Sequence, residues 1–425
     1  MSPAIITLCV LAVVAILFIT EIIPLAITSL GGSIALGLLG VIPEKQIFSG
    51  LSNSTVVLFA GMFVIGAALF HTGMAQDIGE RVVRMCGSSE TRLMFGVMVV
   101  TIVMSSVLSN TGTAASLIPV VTGICAVAKL KGSRFLMPMA IAANVGGTIT
   151  MVGTPPNIIA TGALQQAGLP TFGSSEFAWI GVPLSIVCVL FTLTVGKKLL
   201  PKHDIDESAE VEQEVDASEV KQSKSKKMIS LLILVGVVIV MIFSKELGVS
   251  LTTAAVIGAI IAVLTGCMTE KQAYASIDWV TIFLFAGMMP IATALDKSGA
   301  GALIANSVVG MLGENPNPLV IAAVMYLLSN IMTQFMNNTA TAALLCPLGI
   351  SMAQAIGADP KAVLMCIAIA ASAAFATPVA TPPNTLVLGP GQYSFNDYLK
   401  VGIPLCLVGF ITSMIIIPIV WPFFP

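Results

Sequence analysis

Along most of this chain the hydrophobic residues neither alternate nor return every three or four positions. They run on. Apolar runs cover 4–20, 24–42, 54–71, 93–128, 135–166 and 176–196 in the first half. The second half repeats the series at 228–244, 249–267, 279–295, 317–356, 361–390 and 400–423. A helix needs about 20 apolar residues to cross a bilayer, so the runs predict an all-α polytopic membrane protein. A transmembrane barrel is excluded, because its strands alternate inward and outward residues. Four runs are interrupted. Polar SNT (109–111) splits 93–128, NNT (337–339) splits 317–356, and TPPN breaks 135–166 and 361–390. Irregular backbone at membrane depth survives only when buried in protein or lining a cavity. The SNT and NNT runs are therefore expected to be re-entrant hairpins, and the TPPN runs broken helices that cross.

Each half then has about five crossings plus one hairpin, and an odd number inverts the second half. The halves also match in sequence. LFAGM at Leu58–Met62 returns at Leu284–Met288, 226 residues on. SNTGTAASLIPV from Ser109 matches NNTATAALLCPL from Asn337 at seven of twelve positions, 228 residues on. GTPPNIIATG from Gly153 matches ATPPNTLVLG from Ala380, 227 residues on. Three motifs in one order at a near-constant offset mark an inverted-repeat transporter. The expected organisation is a first repeat over 1–200, a linker over 201–227 and a second repeat over 228–425.

Composition sharpens this reading. Hydrophobic residues make up 56% of the 425 and charged ones 9%, against about 25% charged in soluble domains. Thirteen charged residues fall between Lys202 and Lys227, in a stretch without aromatics, as expected of a flexible cytoplasmic linker. Counting Lys and Arg by the expected crossings puts 15 on one side, including Arg81, Arg134, Lys197, Lys227 and Lys271, and four on the other: Lys45, Lys245, Lys297 and Lys361. The rich side is cytoplasmic by the positive-inside rule, so both termini face outward. The N-terminus has no basic n-region and reads as the first span. The eight cysteines, Cys86 among them, show no CxxC pairing. A net charge of −2 argues against nucleic-acid binding.

The interruptions carry the candidate chemistry. The tips place Ser109, Asn110, Thr111 and Asn337, Asn338, Thr339 near the bilayer midplane. After each tip a helix begins, and a helix N-terminus favours an anion. The preceding helix ends there with free carbonyls, which favour a small hard cation. Ser105 and Thr333 lie one helical turn back, level with that cation pocket. The TPPN breaks add Thr154, Asn157, Thr381 and Asn384, with prolines expected to free carbonyls nearby. No acidic or basic residue is expected mid-membrane. Proton-driven carriers use buried titratable relays, so this absence favours coupling to a metal ion with neutral ligands.

Paired SNT-type tips, each followed about 45 residues later by TPPN, resemble the divalent anion/sodium symporter family. These are the sodium-coupled dicarboxylate, citrate and sulfate carriers of the ion transporter superfamily. The resemblance covers nearly the whole chain. It implies secondary active symport of a dicarboxylate such as succinate, malate or fumarate, an elevator mechanism with scaffold and transport domains, and a homodimer in the cell (plasma) membrane. It implies a first sodium site at Ser105, Ser109, Asn110 and Gly153, and a second at Thr333, Met336, Asn338 and Ala380, in part through main-chain carbonyls. It implies substrate contacts at Ser109, Asn110, Thr111, Asn337, Asn338, Thr339, Thr381 and Pro382. One departure is Asn337, where the family has a serine. Another is the short chain, from which the extra N-terminal span of many relatives and an inserted regulatory domain are expected to be missing. Other readings keep the fold and change the cargo to sulfate or citrate, or replace symport by sodium-independent exchange. A channel needs a continuous polar path, and an intramembrane enzyme lacks an acidic pair or HExxH; His71 is far in sequence from either tip.

Overall fold

The computed structural model describes residues 2–85, 89–128, 130–201, 223–312 and 317–424. Most of the linker 201–227, with Lys202 and Lys221, lies outside the described residues, as do Cys86 and Lys129. The described chain is helical, with no strand among the described residues. In the first half the principal helices are α1 (Pro3–Thr20), α2 (Leu25–Leu38), α3 (Ser54–His71), α4 (Met74–Met85), α5 (Glu90–Ser105), α6 (Asn110–Ala128), α7 (Ser133–Gly146), α8 (Pro155–Gln166) and α9 (Ala178–Phe191). In the second they are α10 (Lys224–Ile242), α11 (Leu251–Leu264), α12 (Trp279–Lys297), α13 (Ala300–Leu312), α14 (Pro318–Thr333), α15 (Asn338–Ala355), α16 (Pro360–Ser372), α17 (Pro382–Leu388) and α18 (Phe395–Val420).

Helix breaks fall where the polar interruptions predict them. Between α5 and α6 the chain turns at 106–109, and between α14 and α15 at 334–337. The expectation about the prolines is corrected. They do not strip donors from the middle of a helix. Pro155 and Pro382 open α8 and α17, after Thr154 and Thr381 in extended conformation, at positions where the missing N–H costs nothing. The irregular backbone lies before the motif, over 147–154 and 373–381.

Two helices lie outside the apolar runs read from the sequence, α4 and α13, and they occupy the same place in each half. Helix α4 (MAQDIGERVVRM) is amphipathic, and α13 has 13 residues, too short at about 1.5 Å per residue to span a bilayer. Each packs beside its hairpin, α4 on α5 and α6, α13 on α15.

The two halves are interleaved. Helix α2 packs on α12 and α11 on α3; α8 lies against α15 and α16, and α17 against α6 and α7. Polar contacts tie distant parts of the chain together: Lys227 pairs with Asp77 at 2.7 Å, Arg134 with Glu90, and Tyr393 OH accepts from Met137 N at 2.8 Å. Lys361 pairs with Glu176 at 3.7 Å, Ser174 Oγ donates to Met241 O at 3.1 Å, and Lys297 Nζ donates to Gln46 Oε1 at 3.3 Å.

Candidate functional site

Each hairpin tip is capped by its own first residue. Ser109 Oγ accepts from Gly112 N at 3.1 Å. Asn337 Oδ1 reaches one residue less far and accepts from Thr339 N at 2.8 Å. Ser and Asn are both preferred caps. After capping, the first-turn amides of Asn110 and Thr111 remain without a helical acceptor at one tip, and those of Asn338 and Ala340 at the other. These are the donors an anion would find.

Behind each tip lies a cluster of oxygens. Ser105 Oγ is 2.6 Å from Ala143 O and 2.6 Å from the Asn110 carboxamide. Thr333 Oγ1 stands 2.6 Å from Ala371 O and 2.6 Å from the Asn338 carboxamide. One hydroxyl proton serves one of these neighbours at a time. The end of the Asn110 amide that meets Ser105 also lies 3.2 Å from Ala143 O and 3.2 Å from Gly153 O. With Nδ2 turned in, the amide donates to all three. With Oδ1 turned in, hydroxyl, carboxamide and two main-chain oxygens converge, the neutral hard-ligand set that suits a small cation. The backbone is shaped for this closeness: a methyl group on Gly153 would meet Gly147 O at 2.5 Å. The second cluster has Ala380 in that place. Among the described residues no group of three His, Cys, Asp or Glu is placed to hold a metal.

The breaks are braced by the asparagines of TPPN. Asn157 Nδ2 donates to Gly147 O at 3.3 Å and Thr150 O at 2.8 Å. Asn384 Nδ2 donates to Ala374 O and Thr377 O, each at 2.9 Å. These two residues are buried at 0% and 1% exposure, so their work is to satisfy the carbonyls of unwound backbone.

Tips and breaks meet at one cavity of about 220 Å³. Ser109, Asn110, Thr111, Asn337, Asn338, Thr339, Thr381 and Pro382 all line it, with Gly153 and Ala380. Ser105 and Thr333 are fully buried behind the lining. Met336 is also buried and borders a neighbouring recess with Thr111 and Asn337. The floor is the apolar face of α3, with Phe59, Met62, Phe63 and Phe70. Among the described residues the lining holds no Lys, Arg or His.

Several lining residues escaped the sequence. The α3 phenylalanines look like any span. Asn144 is a lone polar residue in the apolar stretch of α7, and that isolation was a usable signal. Asp278 caps α12, with Oδ1 accepting from Thr281 N at 3.1 Å. It sits at a span end, as the sequence implies, yet it also lines the cavity, at an exposed position.

Comparison with known proteins agrees with this architecture. Residues 15–362 and 334–423 match the family model described as citrate transporter. An uncharacterized transporter of Haemophilus influenzae is 30% identical over 423 residues, covering 94% of this chain and 88% of the relative. The sodium-dependent dicarboxylate transporter SdcS of Staphylococcus saprophyticus is 26% identical over 432 residues, covering 94% and 83%. Among solved structures, the Alcanivorax borkumensis YdaH transporter aligns over 100% of both chains with a TM-score of 0.66 at 16% identity. The Neisseria gonorrhoeae MtrF structure aligns over 92% of this chain and 85% of its own with a TM-score of 0.64 at 15% identity. Those two likenesses concern the fold. The resemblance read from the tips and breaks and the family match coincide: the chain is a membrane transporter, not an enzyme, and it belongs to the citrate transporter family.

Proposed function

We infer that this transporter couples sodium entry to uptake of a small dicarboxylate of the succinate, malate or fumarate class across the cell membrane. The observation that carries the reading is the cavity. It brings hydroxyls, carboxamides and two helix N-termini together, with no cationic side chain among the described residues of its lining, directly in front of two oxygen clusters. A dianion there needs positive charge, and bound sodium supplies it. The reading assigns sodium to Ser105, Ser109, Asn110 and Gly153 at one tip and to Thr333, Met336, Asn338 and Ala380 at the other. The substrate carboxylates fall to the eight lining residues named above. The name of the Staphylococcus relative, a sodium-dependent dicarboxylate transporter, supports it.

If uptake is electrogenic, energetics call for more than two sodium ions per dianion. Moving one charge through 100 mV is worth about 2.3 kcal/mol, so a dianion entering a negative-inside cell is opposed by about 4.6 kcal/mol. Two sodium ions cancel this, and a third makes the potential a driving force. Our reading of the movement is an elevator. The hairpins and broken helices, α5–α8 and α14–α17, slide as a unit past α1–α3 and α10–α12, in a homodimer of inverted repeats. The interleaved packing supports it; the Lys and Arg count puts the linker in the cytoplasm and both termini outside. Citrate is the second reading. The family description favours it, as does Asn337, whose carboxamide offers two longer-reaching N–H donors where a serine offers one O–H.

Purified protein in liposomes tests the proposal. Labelled succinate should accumulate with an inward sodium gradient, not with potassium or choline, and faster with a negative-inside potential. Uptake that ignores sodium and requires internal dicarboxylate would replace symport by exchange. Citrate uptake without succinate uptake would move the substrate class.

A further inference from the structure

The two breaks share a plan but not their neighbours. In the second, the orientation of each side-chain amide is fixed. Asn384 Nδ2 faces two carbonyls, so its Oδ1 needs a donor, and Asn144 Nδ2 supplies one at 3.1 Å. The same Nδ2 donates to Thr381 Oγ1 at 3.0 Å. Asn144 is fully buried, and its Oδ1 has no partner among the described residues. A buried acceptor left unpaired costs about 1–3 kcal/mol, which offsets part of what the two donated bonds contribute. With a lone pair of Thr381 occupied by Asn144, the Thr381 hydroxyl proton has no acceptor among the described residues, and Thr381 lines the cavity.

The first break lacks this arrangement. In the register that aligns Ser105 with Thr333 and Ala143 with Ala371, Asn144 aligns with Ser372. Ser372 Oγ turns back to Ala368 O at 3.0 Å. Asn157 Oδ1 is left without a partner among the described residues, while Thr154, like Thr381, makes no capping bond.

We propose that Asn144 is a positioning residue for the anion: it holds the Thr381 hydroxyl so that its proton points into the cavity and donates to one carboxylate. The pair makes the second break a fixed carboxylate anchor that the first break lacks, so the substrate sits off the pseudo-symmetric centre. This rests on the dicarboxylate reading above.

The test is a double-mutant cycle on the full chain in liposomes at saturating sodium, with succinate as probe. Asn144→Leu removes both bonds at similar volume; Asn144→Ser installs the residue found at position 372 and guards against a folding failure of the first variant. Each should raise the KM for succinate about tenfold, the effect of one hydrogen bond to a charged group, and leave the maximal rate near wild type. In a Thr381→Val background either change should add less than twofold. Thermal stabilisation of the purified protein by sodium alone should be unchanged. Full additivity with Thr381→Val, or loss of the sodium-alone response, would overturn the assignment and leave Asn144 a structural residue. A wild-type protein that neither binds nor transports a dicarboxylate would overturn the functional reading instead, and this one with it.

Discussion

The two hairpins follow one plan and are held by different means. In the second, α14 reaches into α16 and the following chain with four side chains. Ser329 Oγ donates to Ile367 O at 2.9 Å, and Asn330 Nδ2 to Ala373 O at 3.0 Å. Thr333 meets Ala371 O, and Gln334 both donates to Ala373 O at 3.3 Å and accepts from Ala376 N at 2.8 Å. In the same register α5 offers Thr101, Ile102, Ser105 and Ser106. Ser105 alone of these side chains reaches α7; Thr101 turns back to Val97 O at 2.6 Å and Ser106 Oγ to Val103 O at 2.8 Å. The first hairpin gains its closeness from glycine instead. A methyl group on Gly146 would meet Ile102 O at 2.7 Å, and one on Gly153 would meet Gly147 O at 2.5 Å. The same fold is thus bolted by buried polar side chains in one half and closed by missing side chains in the other.

The sharpest way to break this comparison is to exchange the closing residues. Gly153→Ala pushes a methyl into main-chain oxygens that cannot retreat, whereas Ala380→Gly removes a methyl the second site tolerates. Overpacking of this kind costs about 1–3 kcal/mol, so Gly153→Ala should raise the sodium concentration for half-maximal uptake by about tenfold to a hundredfold. Ala380→Gly should shift it less than about threefold. Equal effects would show that both sites close in the same way. Next in size, Asn110→Ala and Asn338→Ala each remove a cation oxygen and should raise that sodium concentration about tenfold. A response confined to one of them would leave a single cation site.

The bolts are tested through stability. Gln334→Leu leaves Ala373 O with the Asn330 amide but strands Ala376 N in a buried setting, a loss of about 1–3 kcal/mol. Its Tm should fall by several degrees. Ser106→Ala, in the matching register, should leave Tm within the error of the measurement. If both variants melt like the wild type, the polar bracing of the second half does not hold it.

Much of this was legible in sequence because the bilayer is an exacting solvent. Continuous apolar runs gave the spans, and polar triplets inside them gave the tips, since no lipid-facing segment can carry SNT or TPPN. Repetition then tied the two sites together. The glycine-against-amide difference was not legible. It depends on which carbonyl lies opposite Gly153 or Gln334, and a residue list does not hold that distance. Helix α4 was hidden for a simpler reason: its twelve residues mix Asp77, Glu80, Arg81 and Arg84 with apolar neighbours, and no run of hydrophobicity marks it. The role of the TPPN prolines was misread because the motif marks a helix start, while the unwound backbone lies upstream.

The smallest expected effect concerns the tips themselves. Asn337→Ser makes the second tip read SNT like the first. A serine there caps as well as asparagine does, reaching the N3 amide as Ser109 reaches Gly112, so Tm should not move. What changes is the donor: the carboxamide Nδ2 with two N–H gives way to a single, shorter-reaching Oγ–H like that of Ser109. If that donor serves the anion, the KM for a four-carbon dicarboxylate should rise about two- to fivefold, and any citrate uptake should fall further, because a third carboxylate needs the extra donor most. If Asn337 serves only as a cap, neither value moves. The two tips would then be chemically equivalent, and the asymmetry between the halves would lie wholly in the breaks behind them.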